Sequence, residues 1–232
     1  MTMHDHDHDH NHDHDHAHGD HAHPHASPHD HDAGPMDAYE VLERALRELL
    51  IEKGVLTAAE IQATIDLVDS RSPALGASVV ARAWTDPAYK QRLIGDTRAA
   101  LMEIGIDIGT LAEFRVIENV PNVHNVVVCT LCSCYPKLLL GIPPAWYKNL
   151  AYRSRVVVDP RGVLVEFGLR LADGVEVRVH DSTADLRYLV LPQRPAGTQG
   201  WSQEQLASLV SRDCMIGTAV PRAPAAQATA AQ

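Results

Sequence analysis

The chain has 232 residues, 45% of them hydrophobic, enough to bury a core in one domain or two small ones and too mixed for a peptide or a fibre. Its formal charge of -10 is unevenly spread: the segment up to Gly34 holds eight of the thirty acidic residues and no Lys or Arg, so the remainder sets 22 acidic against 20 basic residues and offers no basic stripe for nucleic acid. No apolar run approaches the roughly 20 residues of a membrane span, and the N-terminus lacks the basic-then-apolar order of a signal peptide, so a cytoplasmic chain with neither nucleic acid nor membrane as partner is expected.

The opening "HDHDHDHNHDHDHAHGDHAHPHASPHDHD" contains thirteen of the fifteen histidines and nothing that packs. Residues 1–35 are therefore expected to be a disordered His/Asp-rich tail with loose affinity for divalent transition metals. Leu42, Leu46, Leu49 and Leu50 then recur at helical spacing with Gly54 as a stop, which predicts a helix over about 37 to 53. "TAAE" at Thr57 to Glu60 has the form of a capping box and opens a second helix through Ile61, Ile65 and Val68. Asp86 before Pro87 starts a third, presenting Tyr89, Leu93 and Leu101 and stopping near Gly105.

Beyond that point the period shortens. "EFRVIENV", "NVVVCT", "VEVRVHD" and "LRYLVLP" have strand character, and Asp159-Pro160 and Ser202 to Gln205 mark helix starts between and after them. The fold class expected is α/β: a helical N-terminal arm over 36–110, then a sheet covered by helices over 111–220, with a flexible C-terminal tail over 221–232.

Three of the four cysteines fall within six residues, in "VVVCTLCSCYP", directly after a buried strand through Val126 to Val128. Only Cys214 remains, so a disulfide framework is not indicated, and three sulfurs on one tight turn suit a single soft or borderline metal ion. Spacing leaves two arrangements open. A strongly Lewis-acidic trivalent ion could take Cys129, Cys132 and Cys134 with the backbone nitrogens of Ser133 and Cys134, keeping one position free. Zinc could instead take the three thiolates with His124, His180 or Cys214 as a fourth ligand, closed and structural, in a non-enzymatic zinc or metal-storage protein that also used the tail. Read from residue type alone, Tyr135 is a packed ring, Arg153 and Arg155 are solvated charges, His124 stabilises the start of its strand, and Cys214 is a small buried hydrophobe.

The motif "VCTLCSCYP" resembles the metal claw of nitrile hydratase α subunits. The resemblance continues through "GIPPAWYK", "YRSRVVVDPRGVL", "EFGL", "RYLVLPQRPAGTQGWS" and "SRDCMIG", over roughly 40 to 220. It implies a layered α-β-β-α fold and a hydro-lyase that converts nitriles to amides. It also implies one low-spin Co(III) per α chain, held by Cys129, Cys132 and Cys134 and the amides of Ser133 and Cys134, with Thr130 marking the cobalt rather than the iron branch. Cys132 as sulfinic acid and Cys134 as sulfenic acid are implied too, both serving as catalytic residues. Two arginines of a separate β subunit would complete the site, so the resemblance implies activity only in an expected α2β2 heterotetramer, with a cobalt-insertion activator protein as a further partner. Tyr135, Arg153 and Arg155 become supporting candidates on the same basis. Two positions depart from the usual pattern: Lys137 stands where Trp commonly follows "CSCYP", and His180 where Trp commonly precedes "DS". The related thiocyanate hydrolase γ subunit tends to carry a basic residue at the first of these, which makes an anionic substrate the alternative. A Lys137 turned to solvent is the plainer expectation.

Overall fold

The computed structural model describes residues 38–223, and the His/Asp-rich tail and the chain beyond Ala223 lie outside them. The chain divides into two units, 1–55 and 56–232. In the first, α1 (Ala38–Glu52) follows the leucine spacing, buries no residue, and ends at Gly54, whose φ of 65° favours glycine. Pairs Arg44–Glu48 and Arg47–Glu43 brace its exposed face.

The second unit opens with α2 (Ala58–Asp69), where the Thr57 hydroxyl accepts from the Glu60 amide at 3.1 Å while the Glu60 carboxylate accepts from the Thr57 amide at 2.8 Å. Next comes α3 (Pro73–Thr85), a helix the sequence pattern did not announce. Its residues Gly76, Ala77, Val79, Val80, Ala81 and Ala83 are buried on several faces, so no single apolar stripe marks it. At Gly76 a Cβ would come within 2.4 Å of Leu140 and 2.7 Å of Met215, so the missing side chain is what lets these elements approach.

The single helix expected from Asp86 to Gly105 is two, α4 (Pro87–Gly95) and α5 (Thr97–Met102). Asp96 divides them, because its carboxylate caps the new start by accepting from the Ala99 amide at 3.0 Å. Tyr89, Leu93 and Leu101 are buried as the spacing predicted.

All four predicted strands form: β1 (Glu113–Glu118), β2 (Val123–Val128), and, later in the chain, β3 (Glu176–Asp181) and β4 (Leu186–Leu191). The α/β class holds, but the strands are shared between two parallel pairs, β1 with β4 and β2 with β3, in place of one continuous sheet. Both pairs feed one core, in which Val126, Val127, Val128, Leu189, Val190 and Leu191 are buried. Short helices fill the connection from β2 to β3, α6 (Lys137–Leu140), α7 (Ala145–Lys148), α8 (Leu150–Arg155) and α9 (Pro160–Glu166), and two more follow β4, α10 (Gln203–Ala207) and α11 (Arg212–Ile216). The starts foreseen at Asp159 and Ser202 cap α9 and α10. No helix among the described residues is long and apolar enough to cross a membrane.

At the end of α11, Gly217 adopts a left-handed φ of 90°, and a Cβ there would lie 2.0 Å from the Asn125 carbonyl oxygen of β2. That close approach lets the Gly217 carbonyl accept from His124 Nε2 at 2.7 Å, leaving Nδ1 to accept from the Asn119 side-chain amide at 3.2 Å. Burial pushes the His124 pKa below its ordinary value. The unfolded chain therefore takes up a proton that the folded chain refuses, so this residue's contribution to stability is present above about pH 6.5 and is lost as the pH falls below it. Urea unfolding should show a lower midpoint at pH 5 than at pH 7, with folded His124 still neutral by NMR at pH 6. Protonation of His124 at its ordinary pKa in the folded protein would overturn this account.

Candidate metal centre

The cysteine loop leaves the C-terminal end of β2, whose six residues are all buried. Cys129 and Cys134 are buried and Cys132 is exposed. Their sulfurs converge, with Cys129 Sγ 3.4 Å from Cys132 Sγ, Cys132 Sγ 3.1 Å from Cys134 Sγ, and all three within 4.8 Å of one another.

Three side chains hold the backbone of the loop and a fourth holds the strand it leaves. Thr130 is fastened to the end of β3: its amide donates to Asp181 Oδ1 at 2.9 Å and its hydroxyl to Asp181 Oδ2 at 2.5 Å. From α8, Arg153 donates to the carbonyls of Cys129 at 3.0 Å and Thr130 at 2.8 Å. The Tyr147 hydroxyl donates to the Cys134 carbonyl at 2.8 Å, and the Tyr152 hydroxyl to the Val127 carbonyl at 2.7 Å. Tyr147 and Tyr152 stand in a set of edge-packed rings with Tyr135, Trp146 and Phe167, which makes their hydroxyls fixed donors.

The three thiols differ electrostatically. Cys132 is held down to about 7, first by its hydrogen bonds with Cys134 and then Cys129, with help from the amides of Ser133 and Cys134. Burial pushes the Cys134 thiol up to about 12, opposed by the nearby Arg187 guanidinium. A cation binding among the sulfurs would relieve the cost of the buried thiolate. The amides of Ser133 and Cys134 make no main-chain hydrogen bond among the described residues. Three soft sulfurs, with two amide nitrogens that turn toward Cys132 and take no main-chain partner, fit the donor set expected of a claw.

Among the described residues none of the three expected fourth ligands for zinc joins the cysteines. His124 is committed to Gly217 and Asn119, His180 Nε2 lies 2.8 Å from Asn125 Oδ1, and Cys214 Sγ lies 3.1 Å from Ser211 Oγ in the core. Among the described residues only Cys129, Cys132 and Cys134 group as metal ligands.

Other expected site residues separate. Tyr135 is buried and packs edge-on against Tyr147 at 5.0 Å, but its hydroxyl has no hydrogen-bond partner among the described residues. Arg153 grips the loop, whereas Arg155 pairs with Glu166. A cavity of about 420 Å³ opens on Cys132, Ser133 and Cys134, and Lys137 lines it with Tyr135, Lys148 and Arg187. Lys137 is exposed and borders this cavity from the start of α6. Asp181, Tyr147, Tyr152, Lys148 and Arg187 went unnoticed in the sequence. The first stands at the end of the strand register Val128↔Asp181, and only that pairing brings it to Thr130.

Fold and site together define an α/β protein with a loop of three converging cysteines, able to hold a metal ion, at the end of a buried strand. The nitrile hydratase α-chain family model matches residues 37–219, and the chain belongs to that family. It is 51% identical over 182 residues to the low-molecular-weight cobalt-containing nitrile hydratase subunit alpha of Rhodococcus rhodochrous, covering 78% of this chain and 88% of that one. It is 46% identical over 195 residues to the thiocyanate hydrolase subunit gamma of Thiobacillus thioparus, covering 79% and 80%. Similar solved structures are a recombinant thiocyanate hydrolase with partially modified cobalt centres, at TM-score 0.76 and 45% identity over 81% of this chain and 91% of that one, and a double mutant of the Fe-type nitrile hydratase from Comamonas testosteroni Ni1, at 0.73 and 42% over 82% and 94%.

Proposed function

We propose that this chain is the α subunit of a cobalt-dependent nitrile hydratase, adding water to nitriles to give amides and working with a β subunit in an α2β2 assembly in the cytoplasm. The observation that carries the reading is the convergence of Cys129, Cys132 and Cys134, with the amides of Ser133 and Cys134 turned toward the Cys132 sulfur between them. Cobalt(III), one per chain, would be held by these residues and would supply a Lewis acid for the nitrile or for water. Cys132 as sulfinic acid and Cys134 as sulfenic acid are part of the proposal, with the Cys134 sulfenate oxygen as nucleophile or base toward the nitrile carbon. Thr130, Asp181 and Arg153 keep the loop in register, and Tyr147 fixes its far end.

Thiocyanate hydrolysis is the second reading, favoured by Lys137 on the cavity wall. The test is kcat/KM for thiocyanate and for a small aliphatic nitrile, measured with the β partner before and after Lys137→Trp. Nitrile hydration should dominate in the unmodified complex, and the substitution should lower thiocyanate turnover about tenfold while sparing neutral nitriles, since the lost cation acts on charge alone. Efficient thiocyanate hydrolysis without nitrile hydration in the unmodified complex would reverse the choice between the two.

A further inference from the structure

Arg187 stands on β4 in step with Leu189 and Leu191, so it shares a strand face with two buried side chains. Its register partner on β1 is Phe114, also buried, and both residues line the cavity that opens on Cys132, Ser133 and Cys134. A half-buried arginine that continues an apolar row lays its methylene stem along that row and carries its charge to the open end. That charge reaches Cys134, where it favours the anionic form of the sulfur.

The guanidinium is otherwise almost unengaged. Among the described residues its one hydrogen bond is long, 3.4 Å from Nη1 to the carbonyl of its own neighbour Leu186, and it forms no ion pair. Arg153 and Arg155 differ, the first donating to the Cys129 and Thr130 carbonyls and the second pairing with Glu166. Leaving a half-buried guanidinium with a single long contact costs desolvation that an adjacent anion would recover. The cavity wall holds no carboxylate, and burial keeps its one phenol, Tyr135, neutral, which leaves the sulfurs as the groups able to be that anion.

We infer that Arg187 is a positioning residue for the proposed reaction: its guanidinium is this chain's own counter-ion to Cys134, holding the oxidised sulfur and its oxygen as an anion on the cavity side. This rests on the nitrile hydratase reading and adds a residue to it. The anion is the form in which that oxygen acts as nucleophile or base toward a nitrile carbon. Arginine keeps its charge throughout the working pH range, so the pairing needs no titration of its own. Arg153 grips the Cys129 side of the loop, and Arg187 serves the Cys134 side.

The first test uses the full chain, reduced and freed of metal by chelator, and compares alkylation of Cys132 and Cys134 by iodoacetate and by iodoacetamide. In both reactions the thiolate attacks the iodine-bearing carbon and iodide leaves, so the rate ratio cancels the thiolate fraction and reports local charge. Arg187→Gln should lower the iodoacetate-to-iodoacetamide ratio about threefold at low ionic strength, and Arg187→Lys should keep it near the unmodified value. The second test uses the cobalt-loaded complex with its β partner. At equal cobalt content, Arg187→Gln should lower kcat for a neutral nitrile about tenfold with KM unchanged and shift the sulfur-to-cobalt charge-transfer absorption, and Arg187→Lys should recover both. An alkylation ratio that Arg187→Gln does not move would overturn the inference, as would an unchanged kcat in that variant. If the unmodified complex hydrates no nitrile, the functional reading falls, and the alkylation ratio still decides whether the guanidinium faces the sulfurs.

Discussion

Purified with its partner and washed with chelator, the complex should retain about one cobalt per chain, because a low-spin ion among thiolate and amide donors exchanges slowly. Peptide mapping of the same material should find Cys132 as sulfinic acid and Cys134 as sulfenic acid. Replacing Cys129 by serine would remove a buried soft donor from a set in which all sulfurs lie within 4.8 Å, and the washed protein should then keep no stoichiometric metal and lose turnover by at least about a thousandfold. The metal content of the wild type decides the matter independently of activity. Stoichiometric zinc with three unmodified thiols in an active preparation would sink the cobalt claw.

The second large effect is expected at Arg153, whose guanidinium bonds the carbonyls of Cys129 and Thr130 together. Arg153→Ala leaves those two acceptors without their charged donor, at a cost of about 1 to 3 kcal/mol concentrated in the loop. A slackening of about 1.4 kcal/mol is tenfold in an equilibrium constant, so cobalt retained under limiting supply should fall about tenfold while the global unfolding midpoint shifts modestly. Arg155→Ala is the control, since its pair with Glu166 is solvent-exposed and such pairs contribute about 0 to 1 kcal/mol. Equal cobalt retention in both variants would show that the Arg153 bonds do not hold the claw.

These two arginines show where the sequence stops being informative. They are two residues apart on α8, and residues so spaced point to different sides of a helix. The string "YRSR" therefore says that one can serve the loop, and the packing of α8 on the end of β2 says which. Lys137 is a similar case: the basic residue after "CSCYP" is visible in the sequence, but its cavity wall is completed by Lys148 and Arg187 from other elements.

Features governed by near neighbours in the chain were legible without a structure. The capping boxes at Thr57 and Ser202, the capped starts at Asp86 and Asp159, the four strand segments and the crowding of three thiols all depend on contacts spanning a few residues. Helix α3, whose small residues are buried against Leu140 and Met215, needed the tertiary structure, as did the break at Asp96, since nothing local forbids a longer helix there. The division of the strands into β1–β4 and β2–β3 pairs also came only from the fold, because parallel pairing joins segments about fifty to seventy residues apart and is settled by which apolar faces bury together. That pairing carries Asp181 to Thr130 and Arg187 to the cavity beside Cys134. The sequence by itself determined which atoms could bind a metal; the tertiary structure decided which side chains hold those atoms in place and which charges face them, because such contacts are set by packing across distant parts of the chain.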